Sequence, residues 1–397
     1  MNPILKGEGS LRNIGLVHGE RFSPAVRSNL RSFWSWVEGQ GIRKKALTVS
    51  GLKHESAISS GRLEEIEGIA RGAKIPYPEV LAYNLYQGIF SPDECTVMIA
   101  LGKATTSGNT IFLKNSDKVG GADLVGPQYY KNKEINVILD IKPNGGPRIM
   151  GISAAGTTGL KMGLNDHGVA VGTNISRTWE LTKKKVDLTK LRALDRAQLC
   201  RDALEKKSAI EASQLISNMV LVNPMATPGN MEFADAKEAI ILEGSYDRLA
   251  METIREGVAA RSNCFVLLKD LNQWDDISSQ ARLVRSKQLL GENEGRINRD
   301  VMIGFSMDHA NGPGPNSICR HGQHFSEEVS LSAATMEIGH ENPRQSKISF
   351  ALGKPCHAWR DQKGHIDMDM SMDSSSIPAD LTSGEAWKKF YQEEARD

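Results

Sequence analysis

Cys95 is the residue whose surroundings most favour nucleophilic chemistry. It follows an irregular, proline-containing loop at residues 91–94 and precedes a strand-like run at 96–101, so a rigid strand would hold its side chain. A free thiol has a pKa of about 8.5 and is only a few per cent thiolate at neutral pH, so it needs a base. No histidine lies near Cys95 in the sequence. A buried structural cysteine is the plain alternative.

The loop before Cys95 is of the kind that a chain can expose and cut. A free α-amino group on Cys95 would titrate near ~8 and would act as the base for its own side chain. The thiolate would then attack an amide carbonyl and form a thioester. Water would complete hydrolysis, and a second amine would complete acyl transfer.

Further motifs follow Cys95-Thr96 in a fixed order. They are Gly108-Asn109-Thr110, Lys114-Asn115-Ser116-Asp117, Gly163-Leu164-Asn165-Asp166-His167-Gly168, Thr173-Asn174, Arg261-Ser262-Asn263-Cys264-Phe265, Ser278-Ser279-Gln280-Ala281-Arg282-Leu283, Ser317-Ile318-Cys319-Arg320-His321, Met336-Glu337-Ile338 and Gly353-Lys354-Pro355. Each motif is weak alone. Together, over residues 60–358, they resemble the cysteine-type N-terminal-nucleophile (Ntn) hydrolases, and within them the acyl-CoA:6-aminopenicillanic acid acyltransferase family.

The resemblance implies roles for five residues. The chain would cut itself between Glu94 and Cys95, and Cys95 would become the nucleophile. Asn263 would donate to the oxyanion of the tetrahedral intermediate. Asn174 is a second candidate donor, or a residue that holds the α-amino group or the substrate. Asp117 would accept a hydrogen bond from the α-amino group or orient it.

Two cations complete the implied site. Lys114 stands where related enzymes hold a cation before the aspartate, and it is expected to contact substrate. Arg282 either steadies the site, binds a substrate carboxylate, or is a surface charge on a helix. Taken singly, Asp117 also fits a turn and Asn174 the end of a strand.

The sequence departs from the family pattern at two positions. Asn263 is followed by Cys264, where the family usually has histidine. Glu94 precedes the nucleophile, where glycine is common and eases the backbone geometry of self-cleavage.

The order of elements predicts an α+β fold. Residues 1–94 are mainly helical, and strand-like runs follow at 96–101, 110–113, 135–141, 149–153, 169–173, 239–242, 265–268, 329–338 and 348–352, with helices at 189–220, 277–291 and 298–307. We expect a four-layer αββα sandwich of two antiparallel sheets between helical layers, as the resemblance also implies. Residues 1–94 would form a pro-segment or small subunit, 95–360 the catalytic region and 361–397 a polar surface tail.

Composition restricts the partners. The net charge of +1 gives no electrostatic case for nucleic acid or an anionic membrane. No apolar run is long enough to span a membrane, and the first residues do not resemble a signal peptide. The five cysteines are odd in number and widely spaced, which is typical of reduced thiols in the cytoplasm.

Other chemistries remain open at this stage. Cys319, His321 and His324, with His309 upstream, form a C-x-H-x-x-H cluster, but without a second pair at typical spacing this is a weak zinc signal. We therefore expect no metal and no other cofactor. No dinucleotide-binding or P-loop glycine pattern follows a strand. An unprocessed thiol enzyme with a distant histidine remains possible.

The sequence thus predicts a self-processed cysteine amide hydrolase acting on a small-molecule amide, with acyl transfer to an amine as the alternative. A non-catalytic binding protein on the same scaffold is the third possibility, although it would have no chemical need for Cys95, Asp117, Asn174 and Asn263 together. The two fragments would stay associated, because the helical part cannot bury its apolar faces alone. A homo-oligomer is possible.

Overall fold

The computed structural model describes residues 3–90, 93–119, 134–180, 194–273, 275–321, 328–361 and 364–371. Its α-helices are α1 (Leu11–Arg21), α2 (Ser23–Gly39), α3 (Lys44–His54), α4 (Ser60–Ala73), α5 (Tyr77–Phe90), α6 (Arg196–Ala203), α7 (Ala209–Val222), α8 (Ile277–Glu292) and α9 (Arg299–Ser306). None of the helices in these ranges is long and apolar enough to cross a membrane.

The strands form two sheets. They are β1 (Ile4–Gly9), β2 (Asp93–Leu101), β3 (Thr110–Val119), β4 (Asn136–Pro143), β5 (Ile149–Ala154), β6 (Met162–Asn165), β7 (Ala170–Ile175), β8 (Gly229–Ala234), β9 (Ala239–Gly244), β10 (Leu249–Ile254), β11 (Gly257–Arg261), β12 (Glu328–Ile338), β13 (Lys347–Leu352) and β14 (His365–Asp369). The larger sheet has the order β1-β4-β5-β6-β7-β8-β9-β10, and the smaller has the order β11-β2-β3-β12-β13-β14. Neighbouring strands are antiparallel except β1 and β4, which are parallel.

Three apolar layers hold the elements together. Helices α1 to α7 pack on the outer face of the larger sheet, and a second core fills the space between the two sheets. Helices α8 and α9 cover the outer face of the smaller sheet. This arrangement confirms the predicted α+β fold, a four-layer αββα sandwich.

The helical N-terminal region is built into the sandwich. Strand β1 pairs with β4, and α1 lies against α4 with glycines at the contact. A Cβ on Gly15 would stand 2.0 Å from the Glu65 carbonyl oxygen, and one on Gly68 would stand 2.2 Å from that of Arg12. Side chains larger than hydrogen would force these helices apart.

Two segments differ from the sequence expectation. Residues 265–268 form no strand, because the backbone N–H groups of Val266, Leu267 and Leu268 donate at 2.8, 2.8 and 3.0 Å to the buried carboxylate of Glu243 instead of to a neighbouring strand. Part of the expected polar tail is strand β14, which pairs with β13 and buries Ile366 and Met368 between the sheets.

Candidate active site around Cys95

Cys95 lies near the start of β2, opposite Ser116 of β3. Val97 and Ile99 of the same strand pack between the two sheets, and side chains alternate along a strand, so the Cys95 side chain faces the same layer. Cys95 and Ser116 are both fully buried. The Ser116 hydroxyl shares this face and makes no hydrogen bond with a described residue.

Asn263 holds the backbone nitrogen of Cys95. Its Oδ1 accepts the Cys95 N–H at 3.0 Å and its Nδ2 donates to the Ile175 carbonyl at 2.9 Å. The opposite amide orientation would set Nδ2 against the N–H donor of Cys95, so these contacts fix the side chain. The second Nδ2 hydrogen has no acceptor among the described hydrogen bonds and is available to an oxyanion.

Arg282 organises the main chain at Cys95. Its guanidinium donates to the Cys95 carbonyl at 2.8 Å, to Thr96 Oγ1 at 3.1 Å and to Asn263 Oδ1 at 2.7 Å. It also contacts Glu94 Oε2 at 3.2 Å and, through Nε, Ser278 Oγ at 3.4 Å. The residue is fully buried, which excludes the surface-charge interpretation. These contacts use all five guanidinium donors, so Arg282 positions the site and has none left for a substrate carboxylate.

Glu94 is the centre of a buried ion-pair network. Its Oε1 accepts from Arg177 Nη2 at 2.8 Å, and its Oε2 accepts from Arg282 and Arg320. Burial raises the pKa of Glu94, but the three arginines outweigh burial and lower it from 4.5 to about 2. The residue before the expected cleavage point is therefore a carboxylate anchored to three cations.

Asp117 lies on the other face of the smaller sheet. Leu113 and Ile111 of the same strand pack against the α8–α9 layer, and alternation places Asp117 there too. Its Oδ1 accepts from Ser330 Oγ at 2.7 Å, and its Oδ2 lies 3.7 Å from Arg320. Burial raises the pKa of Asp117, although Arg320 and Arg282 lower it. In this intact chain Asn263, not Asp117, accepts the hydrogen bond of the Cys95 nitrogen.

Asn174 is the penultimate residue of strand β7 and lies beside the Asn263 segment. Its Nδ2 donates to the Ser262 carbonyl at 3.1 Å, next to Asn263 in the chain. Its Oδ1 is buried and accepts no hydrogen bond from a described residue. Asn174 therefore supports the Asn263 segment and keeps one acceptor and one Nδ2 hydrogen for a ligand.

Lys114 shares the inter-sheet face with Cys95 but is engaged elsewhere. It lies opposite Val97, and its Nζ donates to the Lys161 carbonyl at 2.9 Å. Burial raises the pKa of nearby Glu232 to about 7, with Lys114 acting in the opposite direction. Among the described residues, Lys114 thus makes no hydrogen bond with Cys95 or Asn263, and its contact with substrate stays a prediction.

Two arginines of the network, Arg177 and Arg320, were given no role from the sequence. Arg177 follows strand β7, and its backbone N–H donates to the Asn263 carbonyl at 2.7 Å. Arg320 stands in the loop before β12 and bridges Glu94 to Glu328, at 2.8 Å from the latter. The sequence could not show the ion pairs with Glu94, because each joins residues that are far apart in the chain.

A metal ion could be held beyond Arg320. His309, Cys319, His321 and Cys356 present ligand atoms that all lie within 4.8 Å of one another. Three of these residues belong to the cluster noted in the sequence. His324, the remaining member, lies outside the described residues.

A large open cleft lies away from Cys95. Its volume is about 1020 Å³, and it is lined by Leu101, Asn109, Glu337 and His340, among others. Cys95 is at the other end of β2 from Leu101. Volume alone therefore does not identify the reactive site.

Comparison with known protein families finds no model that matches the chain, and no curated protein matches it. Among solved structures, the chain is similar to a Caenorhabditis elegans N-acylethanolamine-hydrolyzing acid amidase ortholog, at 15% identity over 61% of this chain and 92% of that chain, with a TM-score of 0.40. It is similar to a mutant conjugated bile acid hydrolase from Clostridium perfringens at 10% identity, over 70% and 93% of the two chains, with a TM-score of 0.43.

A third similar structure is penicillin V acylase from Agrobacterium tumefaciens, at 12% identity over 65% of this chain and 83% of that chain, with a TM-score of 0.37. Likeness at these levels assigns no activity to this chain.

Proposed function

We propose that this chain is a self-processing cysteine Ntn hydrolase that cleaves a small-molecule amide. The observation that carries the proposal is the hydrogen bond from the Cys95 nitrogen to Asn263 Oδ1, at 3.0 Å within a fully buried polar frame. After cleavage this nitrogen would be the α-amine that serves as the base, and its acceptor is already in place.

Self-cleavage would use the groups at the Glu94–Cys95 bond and one water molecule. The Cys95 thiol adds to the Glu94 carbonyl carbon, and its proton passes to the Cys95 nitrogen. The peptide C–N bond then breaks, which leaves the acyl group on sulfur and the nitrogen as a free amine. Water then hydrolyses the thioester, which gives a new α-carboxylate at the end of the smaller fragment, on Glu94, and a free Cys95 thiol. Three arginines hold the Glu94 side chain on one side of this bond. One of them, Arg282, also holds the Cys95 carbonyl on the other side.

Turnover would use the same atoms. The neutral α-amine, with an ordinary pKa near ~8, takes the thiol proton, and the thiolate attacks the substrate amide. The unused Nδ2 hydrogens of Asn263 and Asn174 are the proposed donors to the tetrahedral oxygen. The α-amine returns the proton to the leaving amine, and water releases the acid from the thioester.

The two fragments would remain together. Strand β1 of the smaller fragment pairs with β4 of the larger one, and their helices and sheet share one core. His18 Nε2 accepts the Gly156 N–H at 3.0 Å across the same boundary. Glu94 contacts Arg177, Arg282 and Arg320, which all lie in the larger fragment.

The test is acyl-enzyme formation with a chromogenic nitrophenyl ester, read by intact mass after acid quench. We expect one acyl adduct on the fragment that begins at Cys95. The adduct should be absent from Cys95→Ala and kept in Cys200→Ala, a matched change of another buried cysteine. An adduct that persists in Cys95→Ala, or that maps to another residue, would reject Cys95 as the nucleophile.

A further inference from the structure

Four possible metal ligands come together from two distant segments. His309, Cys319 and His321 lie in the connection between α9 and β12, and Cys356 begins a π-helical turn after β13. Their ligand atoms all lie within 4.8 Å of one another. The fold thus supplies the fourth ligand, which the sequence spacing does not show.

Three of the separations are close to those around a tetrahedral ion. His321 Nε2 lies 3.1 Å from His309 Nε2, 3.2 Å from Cys356 Sγ and 3.9 Å from Cys319 Sγ. With Zn–S near ~2.3 Å and Zn–N near ~2.0 Å, tetrahedral geometry places two nitrogens about 3.3 Å apart and a nitrogen and a sulfur about 3.5 Å apart. The three observed distances lie within a few tenths of an ångström of these values.

A single hydrogen bond cannot account for all the contacts of His321 Nε2. Nε2 of His321 carries either one proton or one lone pair, so it makes one good hydrogen bond. Three ligand atoms nevertheless face it. Both cysteines are fully buried, while the two histidines are only partly covered. One cation at the common centre would satisfy all four groups.

We infer that these four side chains form a structural zinc site. Two thiolates and two imidazoles with no carboxylate are ligands of zinc rather than of magnesium or calcium. Four protein ligands leave no open position for water or substrate, which is typical of structural rather than catalytic zinc.

The site would fix the arginine that anchors Glu94. Arg320 stands between the ligands Cys319 and His321, and its guanidinium contacts Glu94 and Glu328. Asn115 Nδ2 also ties this loop to β3 through the Ile318 carbonyl at 3.0 Å. An effect of zinc on processing rests on the proposed function, whereas binding of the metal does not.

The experiment measures metal in the full-length chain, expressed with zinc and desalted without chelator. We expect about one zinc per chain in the wild type and in Cys200→Ala, and less than about a tenth of that in Cys319→Ala and Cys356→Ala. Because these variants could fail to fold, the wild-type chain is also stripped of zinc and titrated with Co²⁺. Thiolate-to-cobalt charge transfer with tetrahedral visible bands is the expected result.

Three results would overturn the inference. The first is wild-type protein that holds less than about a tenth of an equivalent of zinc and gives no tetrahedral cobalt spectrum. The second is zinc retained in both Cys319→Ala and Cys356→Ala. The third is a Cys319–Cys356 disulfide, found by peptide mass analysis of freshly purified protein. All three are independent of activity, so they separate this inference from the fate of the proposed hydrolase.

Discussion

Replacing Glu94 with glutamine should strongly destabilise the intact chain. Glu94 is 5% exposed and faces Arg177, Arg282 and Arg320. Glu94→Gln therefore leaves two buried arginines, Arg282 and Arg320, and the partly exposed Arg177 without their common carboxylate. Burial opposes ionisation, but the arginines lower the pKa of Glu94 from 4.5 to about 2. At about 1.4 kcal/mol per pKa unit, this lowering corresponds to about 3–4 kcal/mol of folding stability at neutral pH. Breaking a buried pair typically costs about 3–5 kcal/mol.

The contribution has a defined pH dependence. A carboxyl whose folded pKa is depressed stabilises the fold above its unfolded pKa and loses that contribution as pH falls through the folded value. The advantage of Glu94 over glutamine should therefore be constant above about pH 5.5 and smaller by about 1.4 kcal/mol near pH 3.5.

The assay is urea unfolding in a Cys95→Ala background, which keeps the chain single under the proposed mechanism. Glu64→Gln is the matched control, since Glu64 is exposed on helix α4, and it should change the free energy of unfolding by less than about 0.5 kcal/mol. The predicted role of Glu94 would be refuted if Glu94→Gln lowered the free energy of unfolding no more than the control does. It would also be refuted if the decrease stayed the same toward low pH.

Three further predictions address the frame around Cys95 and the fragment boundary. Asn263→Ala removes the acceptor of the Cys95 nitrogen and should slow processing about 100-fold or more, whereas Asn263→Asp keeps an acceptor oxygen and should slow processing less. The rate at which the fragments appear on a gel measures both effects. Equal rates in Asn263→Ala and the wild type would show that this contact does not support processing. Arg282→Lys cannot reproduce contacts to the Cys95 carbonyl, Thr96 and Asn263 at once, so processing should slow about 10-fold or more while the circular-dichroism spectrum is kept; an unchanged rate would contradict the positioning role. Burial lowers the pKa of His18 from 6.5 to about 4, so the free energy of unfolding should fall as pH drops from 6.5 toward 4. Urea titrations should show a smaller fall for His18→Gln. If the variant loses stability with pH as steeply as the wild type, His18 is not the cause of the fall.

Much of the fold was accessible from the sequence, because helices and strands bury side chains with different periods. The helices before Cys95 and the change to strands at Cys95 are both present. Strand β8 (Gly229–Ala234) escaped prediction because its alternation of polar and apolar residues covers only four positions, 230–233, and its polar side chains are buried like its apolar ones. The predicted strand at 265–268 was wrong because the carboxylate of Glu243, which is distant in the chain, accepts hydrogen bonds from the backbone N–H groups of this segment.

The site was predictable in its residue types but not in its geometry. The motif order identified Asn263 and Arg282, and both contact Cys95 directly in the structure. The face of Asp117 depends on the register that sets Cys95 opposite Ser116, and an error of one residue in register would reverse it. The partners of Glu94 and the ligand Cys356 could not be read from spacing, since folding alone brings these distant segments together.

The most direct test of the central claim is the intact mass of freshly purified protein under denaturing conditions, with Cys95→Ala in parallel. We predict two wild-type fragments that divide between Glu94 and Cys95, and one uncut chain for Cys95→Ala. A single uncut chain in the wild type would contradict it, because the Cys95 nitrogen held by Asn263 would then remain an amide with no basic lone pair.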